Sequence, residues 1–113
     1  MNELKIAPYP DAYSRPLSEA DQRAILISLK RCLDNGIPFG GFLQNNLAIE
    51  ECENTIKVWS YAIHDFTQNG TSPHEALVKT GFFSNDINRI LLVTNDIQTG
   101  VIAVVDYLRL PRR

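Results

Sequence analysis

The sequence predicts an all-α protein: a compact antiparallel bundle of about six helices, alternating long and short. Three observations support this class. Apolar residues recur at helical spacing in the longest segments. Glycine and proline interrupt the chain every few residues, and no segment finds a partner strand. The 113 residues predict an arm over 1–17, one helical domain over 18–110, and a short end over 111–113.

Composition excludes several function classes. The chain is 44% hydrophobic and 21% charged, with a net charge of −2. This balance gives no electrostatic reason to expect nucleic acid or an anionic membrane surface as a partner. The start of the chain lacks the apolar core of a signal peptide, and no run approaches the roughly 18–20 apolar residues of a membrane span. We expect Cys32 and Cys52 to be largely buried thiols that remain reduced.

The first 17 residues hold three of the six prolines and show no period. They predict an extended arm that packs through Ile6, Tyr9 and Tyr13.

The first helix is predicted to begin at Ser18, which forms a capping-box-like pair with Asp21. It is predicted to end at Gly36, in the left-handed position after the helix, and Pro38 prevents continuation. Its apolar face carries Ile25, Leu29, Cys32 and Leu33.

A short second helix is predicted from Pro38 to Asn46, weakened by its two glycines. Phe39 and Phe42 lie on its apolar face. If a short helix cannot bury both rings, they form an interaction surface for a dimer or another partner.

The third helix has the strongest period. Ile56, Trp59, Ile63 and Phe66 fall at i, i+3, i+7 and i+10, which places Trp59 in the core. Asn–Gly usually indicates a hairpin turn. Here Gly70 is instead predicted to terminate a helix.

The fourth helix is predicted from a Ser-x-x-Glu capping box, with Ser72 as N-cap, Pro73 at the first position and Glu75 at the third. Gly81 ends it.

The next two residues, Phe82 and Phe83, are predicted to form a hydrophobic joint between the fourth and fifth helices. A fifth helix follows, with Ile87, Ile90, Leu91, Thr94 and Ile97 on one side. Thr99-Gly100 is predicted to break or bend it. The last helix carries Val101, Val104, Val105 and Leu108, although its β-branched residues would also suit a strand.

We predict no catalytic site, cofactor or metal site. His64 borders the apolar stripe of the third helix, and His74 falls in a first turn, where a solvated position is usual. Glu75 serves as a capping residue. The phosphate-binding motifs GxxxxGK(S/T) and GxGxxG are both absent.

The order of helix stops resembles the F domain of type II secretion and type IV pilus assembly systems. The matching stretches are LDNGIP (33–38), GTSPHEAL (70–77), GFF (81–83) and TG (99–100), within residues 19–108. The resemblance implies a helical bundle on the cytoplasmic face of the bacterial inner membrane, within a polytopic platform protein. It also implies contacts with the assembly ATPase and other inner-membrane components, and leaves a homodimer open.

Under the same resemblance, the chain would precede a membrane span. Arg109, Arg112 and Arg113 suit that position, and equally suit a solvated tail. Many family members carry a glutamate shortly before the (S/T)-G pair, where this chain has Asp96 and Ile97. No ligand is carried over from the family.

Two alternatives stay open. A free-standing helical adaptor or regulatory domain would have no apolar span after it. A small helical enzyme or metal protein would need His64, His74 and a cysteine to converge, as a zinc titration would test.

Overall fold

Six α-helices make up the regular structure of the computed structural model, which describes residues 7–94 and 96–109. The helices are α1 Glu19–Asp34, α2 Phe39–Ile49, α3 Glu53–Gln68, α4 Pro73–Lys79, α5 Asn85–Val93 and α6 Ile97–Arg109. The prediction of an all-α bundle of about six helices is therefore confirmed. None of the helices in the described ranges combines the length and apolar character needed to cross a bilayer.

The helices pack around one core. α6 lies against α1 and α5, α2 lies against α3 and α1, and α4 lies between α3 and α5. Trp59, Phe42 and Phe82 are the largest side chains that are completely buried, at 1%, 0% and 0% exposed. The radius of gyration is 13.3 Å, close to the ~13 Å of a compact 100-residue domain.

Serine hydroxyls begin three of the helices. Ser18, Ser72 and Ser84 each accept a hydrogen bond from the backbone N–H three residues later, at 3.1, 3.3 and 3.4 Å. These bonds satisfy donors that have no partner within the helix. The predicted caps at Ser18 and Ser72 are confirmed.

Glycines with positive φ end α1, α3 and α4. Gly36, Gly70 and Gly81 have φ of 79°, 70° and 77°, and each follows the C-cap residue of its helix. Most residues with a Cβ avoid this conformation. Asn69-Gly70 therefore terminates a helix, as predicted, and does not form a hairpin turn.

The buried face of α3 is rotated from the predicted one. Trp59 is buried as expected, but Ile56, Ile63 and Phe66 are only partly buried. The buried positions are Thr55, Val58, Trp59, Ala62 and Asp65. The spacing of apolar residues alone did not predict the buried face of α3 correctly, because the arm covers the side of the helix that carries Thr55 and Asp65.

The predicted break at Thr99-Gly100 is wrong. α5 ends at Val93, and Thr94 is its extended C-cap. α6 begins at Ile97, so Gly100 lies within its first turns and is buried. A Cβ at Gly100 would lie 2.6 Å from the Thr94 hydroxyl. Gly100 thus permits close approach of the α5 end, and the alternation of long and short helices stops at α4.

The last segment is a helix, as predicted. Val101, Val104, Val105 and Leu108 are all buried. Their spacing of three and four residues forms one apolar stripe, and burial of that stripe outweighs the strand preference of β-branched residues.

Candidate functional site

The arm is here the described part of the N-terminal segment, residues 7–17. It contains no helix and runs along the end of α4 and the joint after it. Three arm amides donate to main-chain carbonyls of that stretch: Tyr9 to Lys79 at 3.1 Å, Tyr13 to Thr80 at 3.2 Å and Leu17 to Phe82 at 2.9 Å. The arm is not extended throughout, because the Ala12 N–H donates to Tyr9 O at 3.0 Å and closes a turn.

The arm groove is the surface that receives the arm: residues 79–82 together with Thr55, Tyr61 and Asp65 of α3. Gly81 lies directly against the main chain of the arm. A Cβ at Gly81 would lie 2.3 Å from Tyr13 O, so only glycine fits there. The Tyr13 ring lies edge-on to Phe82 at 5.4 Å, and its hydroxyl shares a hydrogen bond with Thr55 Oγ1.

Tyr9 is the second anchor of the arm and is 7% exposed. Its hydroxyl donates to Asp65 Oδ2 at 3.1 Å, and its ring stacks on Tyr61 with centroids 6.3 Å apart. The ammonium of Lys79 lies 5.2 Å from the centroid of the Tyr9 ring, within the range of a cation–π contact. Tyr9 and Tyr13 pack as predicted, while Ile6 lies outside the described residues.

Asp65 is the polar centre of the groove. Besides Tyr9, its carboxylate accepts hydrogen bonds from Lys79 Nζ at 2.7 Å and from Asn69 Nδ2 at 2.8 Å. The residue is 8% exposed. The free-energy cost of burying this carboxylate is offset, because charged and neutral donors bond to both of its oxygens.

The pKa values of this cluster follow from those contacts. Burial by itself raises the pKa of Asp65, but the hydrogen bonds from Lys79 and Asn69, with weaker ones, outweigh it and hold this pKa well below its usual range. Burial and the hydrogen bond to Asp65 raise the pKa of Tyr9 well above its usual range. Asp65 is therefore a poor proton acceptor at neutral pH, and the arrangement suits holding a segment rather than proton transfer.

An open depression of about 270 Å³ borders the cluster and is lined by the arm, Tyr61, His64, Asp65, Asn69 and Lys79. His64 is exposed on its rim.

The residues predicted from the helix stops belong to different junctions and do not form one site. Gly36 and Pro38 separate α1 from α2, while Gly81 and Phe83 separate α4 from α5. Gly70, Ser72, Pro73 and Glu75 form the α3–α4 connection and the start of α4, and Gly100 lies within α6. Phe82 and Phe83 are buried, at 0% and 3% exposed, as predicted for a hydrophobic joint.

Phe39 and Phe42 do not form an interaction surface. They are 5% and 0% exposed, so the exposure on which that prediction depended is not found. Phe42 lies edge-on to Trp59 at 6.0 Å, and Phe39 lies edge-on to Phe66 at 5.0 Å. α3 supplies the aromatic area that a short helix cannot supply alone.

The histidines and cysteines differ from expectation in two places. Cys52 is exposed rather than buried, and Cys32 is partly buried. His74 is partly buried rather than solvated, and its Nε2 is shielded without a hydrogen-bond partner. Within residues 7–94 and 96–109, no three His, Cys, Asp or Glu side chains are placed to hold a metal ion.

Two polar residues take up capping positions. Cys52 is the N-cap residue of α3, but its side chain makes no capping hydrogen bond; the neighbouring Thr55 lowers the pKa of its thiol. Asp96 accepts from the Thr99 N–H at 2.8 Å. This bond caps α6 and lowers the pKa of Asp96.

Asp65 and Lys79 are the site residues that sequence reasoning missed. One signal was available: Asp65 follows Val58 and Ala62 at i+7 and i+3, which places a carboxylate on an apolar stripe of α3. Such a position requires a buried partner. Its partners, Lys79 in the next helix and Tyr9 in the arm, could not be identified from the sequence, because no local pattern links them to Asp65.

No family model matches the chain, and no curated protein or solved structure matches it.

Proposed function

We propose that the chain is a cytoplasmic scaffold domain of an inner-membrane platform protein for type IV pilus assembly or type II secretion. The observation that carries this proposal is the order and spacing of the three helix stops at Gly36, Gly70 and Gly81. The fourth matching stretch, Thr99-Gly100, lies within α6 and does not support it. In this role the bundle binds the assembly ATPase and other inner-membrane components through its surface.

The geometry of the stops supports the proposal. Gly36, Gly70 and Gly81 end helices with positive φ, and Ser72 caps the next helix. The Phe82-Phe83 joint is buried. Three of the four stretches that carry the resemblance therefore form helix ends or joints of this bundle, and a shared architecture would give those three a common spacing.

The chemistry of the Asp65 cluster also favours a contact role over proton transfer. The buried carboxylate of Asp65 is fully engaged by Lys79, Asn69 and Tyr9. Its lowered pKa makes it unsuited to general base catalysis.

The first test is the coding sequence downstream of residue 113. We expect it to continue into an apolar segment of about 20 residues, as a membrane span requires. A stop codon directly after residue 113 would contradict the platform assignment and favour a free-standing helical adaptor.

The second test is binding to the assembly ATPase of the same cell. We expect the tagged chain to co-purify with that ATPase. Charge reversals at exposed positions of three helices, Arg31→Glu, Lys57→Glu and Arg89→Glu, serve to find the contact face. At least one should weaken binding about ten-fold while leaving the thermal transition unchanged. Absence of any binding by the unaltered chain would count against the proposal.

A further inference from the structure

The arm is held by residues distant in the sequence, not by the helix that it precedes. Three of its main-chain N–H groups donate to carbonyls of residues 79–82. Its side chains reach α3, where Tyr9 bonds to Asp65 and Tyr13 bonds to Thr55. Toward α1, the described contact is the Gln22 side chain, which donates to Leu17 O at 2.7 Å.

These contacts are of the kind that a groove makes with a bound peptide. Main-chain bonds provide general affinity, and two side chains placed in neighbouring pockets provide selectivity. Tyr9 and Tyr13 stand four residues apart on either side of the turn closed by the Ala12 N–H. Besides ending α4 and pairing with Lys79, Gly81 and Asp65 respectively contact the arm, at the Tyr13 main chain and the Tyr9 hydroxyl.

The arm joins the bundle through an exposed link. Ser14, Arg15 and Pro16 are all exposed, and none of them takes part in the described hydrogen bonds between arm and groove. Residues 7–13 can therefore leave the groove by rotation about this link, while Leu17 remains bonded to Phe82.

We propose that the arm groove is a docking site for residues 7–13 of a second copy of this chain, and that the chain's own arm fills it in the isolated molecule. A second copy offers the same two tyrosines and the same main-chain donors, so exchange between copies conserves every contact of the groove. The tethered arm has an effective concentration on the order of millimolar. Exchange therefore becomes significant where copies are concentrated or held side by side.

The principal experiment is complementation between two full-length variants. In the first, Tyr9→Ala and Tyr13→Ala remove the anchors and leave the groove empty. In the second, Gly81→Ala blocks the groove and leaves the arm free. We expect each variant alone to be monomeric and their mixture to form a 1:1 complex in analytical ultracentrifugation.

The matched control carries Gly81→Ala, Tyr9→Ala and Tyr13→Ala together, so that it has neither a free arm nor an open groove. Mixed with the first variant, it should form no complex. If circular dichroism shows that the variants are folded and no 1:1 complex forms, the docking site is refuted. A complex that also forms with the control would refute it too, because contact would then lie elsewhere.

A second measurement decides the matter if either variant fails to fold. A protease site is inserted between Ser14 and Arg15 of the otherwise unaltered chain, which is then cut. We expect a fluorescent peptide of residues 7–14 to bind the cut chain saturably, and the Tyr9→Ala peptide to bind at least about ten-fold more weakly. If the cut chain unfolds, or keeps its helices and fails to bind the peptide, the arm is an integral part of the core and the proposal is wrong.

This docking site rests on the contacts of the arm and not on the proposed scaffold role. Failure of ATPase binding would leave it standing, and failure of complementation would leave the scaffold role standing.

Discussion

The two sides of the bundle are stabilised in different ways. On one side, α6 packs against α1 and α5 through an apolar stripe that includes Val104 and Leu108. On the other side, the arm, α3 and the end of α4 are joined by directed contacts: three main-chain bonds and the cluster around Asp65. The first side should respond to changes of volume, because apolar contact has no direction. The side formed by the arm, α3 and the end of α4 should respond to changes of geometry and of the protonation of its side chains, since hydrogen bonds and charges depend on both.

The largest effect is expected where the two kinds of contact meet. Phe82 is completely buried and lies edge-on to both Tyr13 and Trp59. Phe82→Ala should lower the free energy of unfolding by about 3–5 kcal/mol, the usual loss for a buried aromatic. Urea unfolding measures this.

The control is Ile49→Ala, since Ile49 is 78% exposed; it should change the free energy of unfolding by less than about 0.5 kcal/mol. Equal effects of the two changes would mean that Phe82 is not at the core.

The next largest effect tests geometry alone. Gly81→Ala adds a Cβ that would lie 2.3 Å from Tyr13 O, at a residue with φ of +77°. We expect Gly81→Ala to lower the free energy of unfolding by about 3 kcal/mol, because it strains the backbone and displaces the arm. Gly36→Ala is the matched control, because its φ is +79° but nothing lies within 4 Å of the added carbon. Gly36→Ala should lower the free energy of unfolding by only about 1 kcal/mol. A similar decrease at both positions would show that the arm is not packed against Gly81.

The third effect separates charge from volume. Asp65→Asn removes the ion pair with Lys79, whose atoms are 2.7 Å apart, and should lower stability by about 2 kcal/mol at pH 7. Because the folded-state pKa of Asp65 is lowered, its contribution is present above the unfolded value of about 3.9. That contribution is lost as the pH falls through about 4 toward the folded value.

The difference between wild type and Asp65→Asn should therefore shrink when urea unfolding is repeated from pH 7 to pH 3. Val104→Ala is the control from the apolar side, because Val104 is completely buried. Its loss of about 1.5–3 kcal/mol should not depend on pH. A difference between wild type and Asp65→Asn that stays constant with pH would contradict the role given to this carboxylate.

The smallest effect concerns one hydroxyl of the arm. Tyr9→Phe deletes the 3.1 Å hydrogen bond to Asp65 and keeps the ring, so we expect a loss of about 1 kcal/mol. Ultraviolet titration gives an independent reading, because Tyr9 should ionise well above the usual pKa of about 10. That late step should be missing from Tyr9→Phe. Tyr61→Phe, which removes a longer and exposed bond of 3.3 Å to Asp11, should leave the late step unchanged.

Helix ends were predictable from the sequence, and helix faces were only partly so. Ser18, Ser72, Gly36 and Gly70 were all placed correctly, because a cap or a stop acts on the backbone within a few residues. The face of α3 was misjudged, since the rotation of a helix depends on what covers it. Phe39 and Phe42 show the same limit, because their burial depends on a surface that α3 provides.

The candidate site was less predictable than the fold. Packing of Tyr9 and Tyr13 could be expected from aromatic residues in a proline-rich segment. Their partners Asp65, Lys79 and Gly81 could not be assigned, because they lie more than 50 residues away and share no pattern with the arm.

The sequence by itself determined the number and class of the elements and most of their ends, since capping, left-handed glycines and apolar period act over one or two turns. Only the tertiary structure decided where the chain breaks between α5 and α6, which side of α3 is buried and where the arm lies. Each of these depends on close contact between separate segments, as with Gly100 against Thr94 and Gly81 against Tyr13. Such contacts are set by the joint fit of whole surfaces, for which no short stretch of sequence carries the information.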